Sequence, residues 1–524
     1  MSYLKHRLRR RPAAQAPQKF AVDDWARLRR FLVLGTEGGS FYASETDLTA
    51  ANAGAVARCI AADGARAVRE IVEVSQAGRA PKNDPALFAL AMAAGAEDVA
   101  TRRAALDALP QVARTGTHLF LFASFVEGFR GWGRALRRAV GDWYAAQELD
   151  RLALQAVKYR ARGGMSHRDV LRLAHPGRAV SARNPRLAVS AEHERLFEWI
   201  VRGGTVDGLP RVVEGFVRVQ RAGGAAEVAE LVRAFRLPRE AVPSEHLTSP
   251  EVWAALLEDM PMTAMIRNLA TMTRVGVVAP GAEGTRVVVS RLADAERLRR
   301  ARVHPIAVLA ALRTYAGGQG VRGRGAWAPV REVVDALDAA FYAAFGNVEP
   351  SGGRTMLALD VSGSMGFGDI AGIPGLTPRD ASAAMALVTA ATEREYEIVG
   401  FTGELVPLPI SPRQRLDDAV RSVSDLAFGA TDCAQPMLYA RAKGIAVDTF
   451  VVYTDSETWA GQVSPATALA RYRAATGIDA RLVVVGMVSN GFSIADPDDA
   501  GMLDVVGFDT ATPQLIADFA RRAM

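Results

Sequence analysis

The run 355-TMLALDVSGSMG-366 decides how the second part of this 524-residue chain folds. An apolar stretch of strand length leads straight into Asp360. Asp360, Ser362 and Ser364 then alternate, and Gly363 and Gly366 permit a tight loop. Working outward, 396-YEIVGFT-402, 448-DTFVVYTD-455, 481-RLVVVGMV-488 and 503-LDVVGF-508 are further short, Val-rich runs. Between them 380-DASAAMALVTAATERE-395, 414-QRLDDAVRSVSDL-426, 433-CAQPMLYARAKG-444 and 464-SPATALARYRAATG-477 carry helical spacing. Apolar strands alternating with helices predict an α/β, Rossmann-like domain with a central, mostly parallel sheet covered on both faces. Its boundary falls near Pro350, giving a domain over 351–524.

Ligands of such sheets bind beyond the carboxyl ends of the strands. Two more oxygen donors occur in equivalent places: Thr431 in 429-GATDC-433 and Asp455 at the end of the third strand. Carboxylates and hydroxyls converging on one point suit a hard divalent cation, with Mg²⁺ the expected ion. The other reading is that these residues only cap loops. In order, the three elements resemble the metal-ion-dependent adhesion site (MIDAS) of von Willebrand A-type domains. That resemblance implies that Ser362, Ser364 and Thr431 face the metal, with Asp360 and Asp455 binding directly or through water. No enzyme is expected. No histidine follows His304, so a Ser-His-Asp triad cannot assemble in this domain, and no G-x-x-x-x-G-K-[ST] loop occurs anywhere. An open metal position suits capture of a partner's carboxylate.

Before the boundary the texture is helical from Asp23 to Phe345. Examples are 103-RAALDALPQVAR-114, 134-RALRRAVGDWYAAQELDRLALQAVKYRAR-162 and 225-AAEVAELVRAFRL-237. Turn residues cut it into helix-sized pieces without a strict period, as in a degenerate helical repeat array. A β excursion is the candidate reading of 274-RVGVVAP-280 and 285-TRVVVSRL-292.

Charge separates the two parts. Residues 351–524 hold 13 of the 63 basic and 21 of the 57 acidic residues, a balance of −8, which leaves +14 on residues 1–350. A basic half points to a polyanionic partner. Only five of the 63 are Lys, so the Arg preference reflects genome composition and only the sign of the charge is informative. Cys59 and Cys433 stand far apart, which excludes a disulfide framework and suits a reducing cytoplasm. Seven scattered histidines speak against zinc. The longest apolar runs, such as Val483 to Val488, are strand-sized, so no membrane span is expected. The basic stretch 1–20 lacks the apolar region of a secretory signal; it reads as a solvated flexible tail or a phosphate-touching arm.

Several segments together resemble the Ro ribonucleoprotein autoantigen family. They are 30-RFLVLGTEGGSFY-42, 86-ALFALA-91, 117-THLFLF-122, 132-WGRALRRAVGDWY-144, 158-KYRARGGMSHRDVLRLAH-175, 260-MPMTAMIRNL-269, 336-ALDAAFYAAF-345 and 489-SNGFSIADPDDAGMLD-504. The likeness runs from Trp25 to Met524 and points to a bacterial-type member. It implies that 21–350 is a TROVE module, irregular HEAT-like helix pairs bent into a ring with a positive hole. It implies binding of small structured noncoding RNA (Y RNA) on the outer face, and of single-stranded 3′ ends of misfolded or precursor RNA through the hole. It also implies RNA quality control, processing or decay with a 3′-to-5′ exoribonuclease such as polynucleotide phosphorylase, in the cytoplasm, by a protein monomeric without its partners. Lys158, Arg162 and His175 match the family's outer-face RNA positions.

The residues themselves allow more than one reading. Lys158 and Arg162, four apart, would share a face at the end of a long helix. Ser166 with Asp169 would cap the next helix, whose N-terminus would seat a phosphate. Each of the three RNA positions also fits a structural or solvated role. Arg134, Arg137 and Arg138 beside Trp132 and Trp143 form a phosphate and stacking surface or a core helix's outer face. In 317-GGQGVRGRG-325, Arg322 and Arg324 sit in an RNA-contacting loop or a linker. The loop 366-GFGDIAGIPGL-376 falls outside the resemblance. The rival function is a metal-dependent protein scaffold with no RNA ligand.

Overall fold

The structure, a computed structural model, describes residues 20–42, 48–50, 53–78, 80–159, 161–162, 164–176, 189–320, 325–370, 373, 375–402, 404–424, 431–455, 461–488 and 494–522. Nineteen α-helices of these residues lie between Asp24 and Ala343. Helix Arg134–Ala145 shows why they form: Leu136, Ala139, Val140, Trp143 and Tyr144 are buried at three- and four-residue spacing, while Arg134, Arg137 and Arg138 face solvent. Each helix packs on its near neighbours in the chain, from Asp24–Leu34 through Gly116–Phe129 and Arg211–Val219 to Pro305–Ala316 and Arg331–Ala343. None of the described helices is long and apolar enough to cross a membrane.

The expected β excursion is not there. Residues 275–282 are the turn between helices Met262–Arg274 and Glu283–Ala293, and residues 285–292 lie within the second helix. The Val-rich stretch is helical because Thr285, Val288 and Leu292 are its buried positions, spaced three and four apart. Strand propensity loses to burial on one helical face.

The second part is a seven-stranded sheet: β1 (Ser40–Tyr42), β4 (Thr355–Asp360), β5 (Tyr396–Phe401), β6 (Leu405–Pro407), β7 (Thr449–Thr454), β8 (Arg481–Gly486) and β9 (Met502–Val506), in the order β1-β9-β8-β7-β4-β5-β6. All neighbours run parallel except the edge pair β5–β6. The two remaining strands, β2 (Ala161–Arg162) and β3 (Met165–Ser166), form a separate hairpin. Side chains alternate across the sheet. Met356, Ala358, Val452 and Val484 face the helices Gln435–Lys443 and Pro465–Thr476, whereas Leu357, Leu359, Val451 and Val483 join the core of the helical part.

The sheet also takes in a strand from before Pro350. β1 lies within the helical half of the sequence but pairs with β9, Phe41 against Val505. Around this pairing the chain start is clasped. Arg473 and Asp499, both fully buried, form an ion pair, and the Phe20 ring lies over the guanidinium, 4.5 Å from its carbon. Arg30 donates to the carbonyls of Pro497 and Asp499, and Arg27 pairs with Asp498 at 2.8 Å. Gly501 leaves room for this: a Cβ there would lie 2.3 Å from Arg473 Nη2 and 2.5 Å from the Phe20 ring. The last helices reach the same domain from the other end. Pro305–Ala316 packs on helix Pro378–Thr392, Arg415 pairs with Asp338 and covers the Tyr342 ring, and Tyr342 Oη accepts from Leu416 N at 3.0 Å. Both ends of the helical array are thus fastened to the same α/β domain, which closes it.

A buried charge that loses its partner is strongly destabilising. Asp499→Ala should lower unfolding stability by about 3–5 kcal/mol, read from urea midpoints; a loss below about 1 kcal/mol would show that Arg473 reaches water.

Candidate RNA-contact surface and metal centre

β4 leaves its neighbours in opposite directions, to β5 on one side and β7 on the other, and this switch point sets Asp360 at the carboxyl edge. Asp360 is fully buried. Its Oδ1 accepts from Ser362 N at 2.8 Å; its Oδ2 accepts from Thr454 Oγ1 at 2.8 Å and from Thr431 Oγ1 at 3.3 Å. Ser362 and Ser364 hydroxyls lie 3.1 Å apart on a single 3₁₀ turn, Gly363–Gly366, anchored by buried Met365. Asp455 is buried too, and among the described residues its Oδ1 has no hydrogen-bond partner. Burial pushes the Asp360 carboxyl up, hydrogen bonds from Ser362 and Thr454 oppose this, and the Asp455 charge adds to the rise. Two buried carboxylates and four hydroxyls therefore lie together at the sheet edge. Among the described residues no three His, Cys, Asp or Glu side chains come together. The donor set is all oxygen and fits a hard divalent cation. All five sequence-predicted metal residues meet here. Thr454 is an addition, hidden in the sequence as an ordinary strand residue.

Lys158 closes the ten-residue helix Leu149–Lys158, with its ammonium 5.4 Å from the Tyr159 ring centre. The chain then leaves the helix, so the expected shared face with Arg162 does not exist: Arg162 lies in β2, paired with Met165 of the hairpin, and is exposed. It lines a cleft of about 540 Å³ together with Lys82, Tyr42 and Phe125. Ser166 caps helix His167–Ala174 with the full reciprocal box to Asp169. That box also corrects the phosphate seat, because the Asp169 carboxylate already sits at this N-terminus. His175 is the exposed left-handed cap at the far end, about 12 Å along an eight-residue helix.

The TROVE domain profile matches residues 13–202 and 235–314, and the Ro60 vWA domain profile matches residues 354–520. The "RNA-binding protein RO60" of Deinococcus radiodurans is 47% identical over 507 residues, 96% of this chain and 93% of that protein. The protein of the same name from Caenorhabditis elegans is 35% identical over 95% of this chain and 88% of its own. The crystal structure of the Deinococcus radiodurans RO (RSR) protein superposes with a TM-score of 0.90 at 46% identity, covering 96% of this chain and all of that one. The chain belongs to the Ro60 family.

Within this Ro60 fold the three expected RNA positions, Lys158, Arg162 and His175, flank one helix in sequence, and the sequence reading missed what lies between them. Arg168 and Arg172 are exposed, and with His175 they fall at spacings of four and three, one solvent face of His167–Ala174; Val170, Leu171 and Ala174 face inward. The signal was present as that spacing. Among the described residues no ion pair uses Arg168 or Arg172. Trp143 is not a stacking platform: it is fully buried and donates to Ala113 O. Arg322 and Arg324, and the tail before Phe20, lie outside the described residues.

His167 holds the basic face from beneath. It is buried against Phe120, its Nδ1 is 2.8 Å from Tyr144 Oη, and burial pushes its pKa down to about 4. A histidine with a folded pKa below its unfolded value takes up a proton on unfolding at any pH between the two. Its contribution is intact above about pH 6.5 and fades toward pH 4, at up to about 1.4 kcal/mol per pH unit. His167→Gln should flatten the fall of stability between pH 7 and 5 in urea titrations; identical slopes in both proteins would contradict a buried neutral His167.

Proposed function

We propose that this chain is an RNA-binding protein of RNA quality control. It holds small structured noncoding RNA, of Y RNA type, on the outer face that carries Lys158, Arg162 and His175. It also grips single-stranded 3′ ends of misfolded or precursor RNA for processing or decay by an exoribonuclease such as polynucleotide phosphorylase. The observation that carries the reading is its 47% identity, over nearly the whole length, to a protein named for RNA binding. The +14 balance of residues 1–350 and the Arg168–Arg172–His175 face agree with it. Phosphate contacts supply affinity, and chain ends are recognised by shape and charge, without a base code. No catalytic step is assigned to the chain, and it works as a cytoplasmic monomer when no partner is bound.

Replacing Lys158 and Arg162 together by Ala should weaken binding of a stem-loop RNA and lower the slope of log K against log salt by about 2. Filter binding at several salt concentrations measures this; an unchanged slope removes these two residues from the interface. RNA co-purifying with the native protein separates this reading from a scaffold without RNA, which would emerge free of nucleic acid.

The α/β domain serves as a metal-dependent docking point for a protein partner. Asp360, Ser362, Ser364, Thr431 and Asp455 would hold Mg²⁺, which supplies an open position for a partner's carboxylate. Phe367 supports docking: it is 78% exposed, and its N–H closes the turn on Ser364 O at 2.9 Å. A bound cation stabilises the folded state, by about 2.7 kcal/mol at a hundred times its dissociation constant. Mg²⁺ or Mn²⁺ should therefore raise the melting temperature of the wild type and leave that of Asp455→Asn unmoved. Equal shifts in the two would disprove the centre.

A further inference from the structure

Helices Val99–Asp107 and Arg134–Ala145, with the ends of Asp84–Gly95 and Gly116–Phe129, enclose a cleft of about 400 Å³. Arg102, Arg103, Arg130, Arg134 and Arg138 line it over a floor that includes Leu106, Val126 and Leu136, and no acidic residue is among the lining. Arg102 donates to the carbonyls of Ala96 and Glu97, which orients it without neutralising it. Arg103 faces Asp107 at 3.8 Å in an exposed pair, worth little in water. Arg130, Arg134 and Arg138 are exposed, and no ion pair among the described residues includes them.

Solvated arginines usually point away from one another; these converge on a concavity. Their placement also opposes helix electrostatics. Arg134 and Arg138 occupy the first turns of a twelve-residue helix with no acidic residue in its first turn, and Gly133 provides no side-chain cap. Cations at the positive end of a helix dipole are unfavourable, and uncapped N–H groups there are donors without a side-chain partner. Arg130 comes from the preceding helix and is brought to the same place by the left-handed turn at Gly131, φ 75°. An anion would relieve all of this at once. Fixed guanidinium forks match phosphate oxygens, and a groove open to solvent admits a chain, not only a free ion.

We propose that this arginine-lined cleft is a second seat for the RNA backbone, separate from the Lys158–His175 face, taking consecutive phosphodiesters of the same RNA. The proposal rests on the RNA-binding reading above. Its test is the triple variant Arg130→Gln, Arg134→Gln, Arg138→Gln in the full chain, titrated with the stem-loop RNA over a range of salt. The salt slope should fall by about 2 to 3, and affinity at low salt by roughly tenfold or more. Because the three cations crowd a helix N-terminus, the variant's melting temperature should hold or rise; a drop would identify them as structural and overturn the assignment. Photo-crosslinking of thiouridine-labelled RNA to the wild type should mark residues 130–138. Wild-type affinity and slope in the triple variant would end the cleft proposal alone, whereas a wild-type chain that binds no RNA at any salt would end the reading beneath it.

Discussion

The clasp of Arg473 and Asp499 beneath Phe20 is the constraint on which the rest of the arrangement depends. It fixes the first residues of the helical array to a loop of the α/β domain, and β1 then extends that domain's sheet through parallel pairing with β9. The last helices return to the same domain through Arg415, Asp338 and Tyr342. Burying two charges is costly even when they pair, so the clasp is better understood as setting register and orientation than as a large source of stability. Apolar burial supplies the stability: one sheet face and the helical array share a continuous core.

This closure keeps two chemistries apart on one molecule. The helical half carries the positive surplus, and its exposed arginines include those of the helix His167–Ala174 and of the cleft beside Arg134. The α/β half is acidic overall, and at its sheet edge Asp360 and Asp455 lie buried with hydroxyls around them. A negatively charged partner would be repelled from that half as a whole. A cation held by the oxygen cluster, as proposed, would make one spot of it attractive, and Phe367 is exposed next to the Ser364 turn.

Much of this was readable in advance. Strands β4, β5, β7, β8 and β9 fall where Val-rich runs predict them, since a parallel strand buried on both faces is apolar without interruption. The five oxygen-donor residues converge because each lies at a strand end or a strand-to-helix loop, and the sheet brings such ends together whatever the distance in sequence. Lys158 and Arg162 show the limit of periodicity. Spacing of four means a shared face only while the helix lasts, and Tyr159 already leaves it. The Val-rich stretch from Thr285 failed for a related reason: its β-branched residues say strand, but which of them are covered is set by neighbours far along the chain.

By itself the sequence determined the two-part architecture, the sign of charge on each part, and the oxygen donors at the sheet edge, because composition and local periodicity carry these. Only the tertiary structure decided that Ser40–Tyr42 belongs to the sheet, that Thr454 completes the oxygen cluster, and that five arginines from two helices and the cap of a third share one cleft. The physical reason is common to all three. A three-residue strand, a single hydroxyl and a surface arginine have no local signature of their partners; each acquires its role from packing across a long loop, whose closure the remainder of the fold makes favourable.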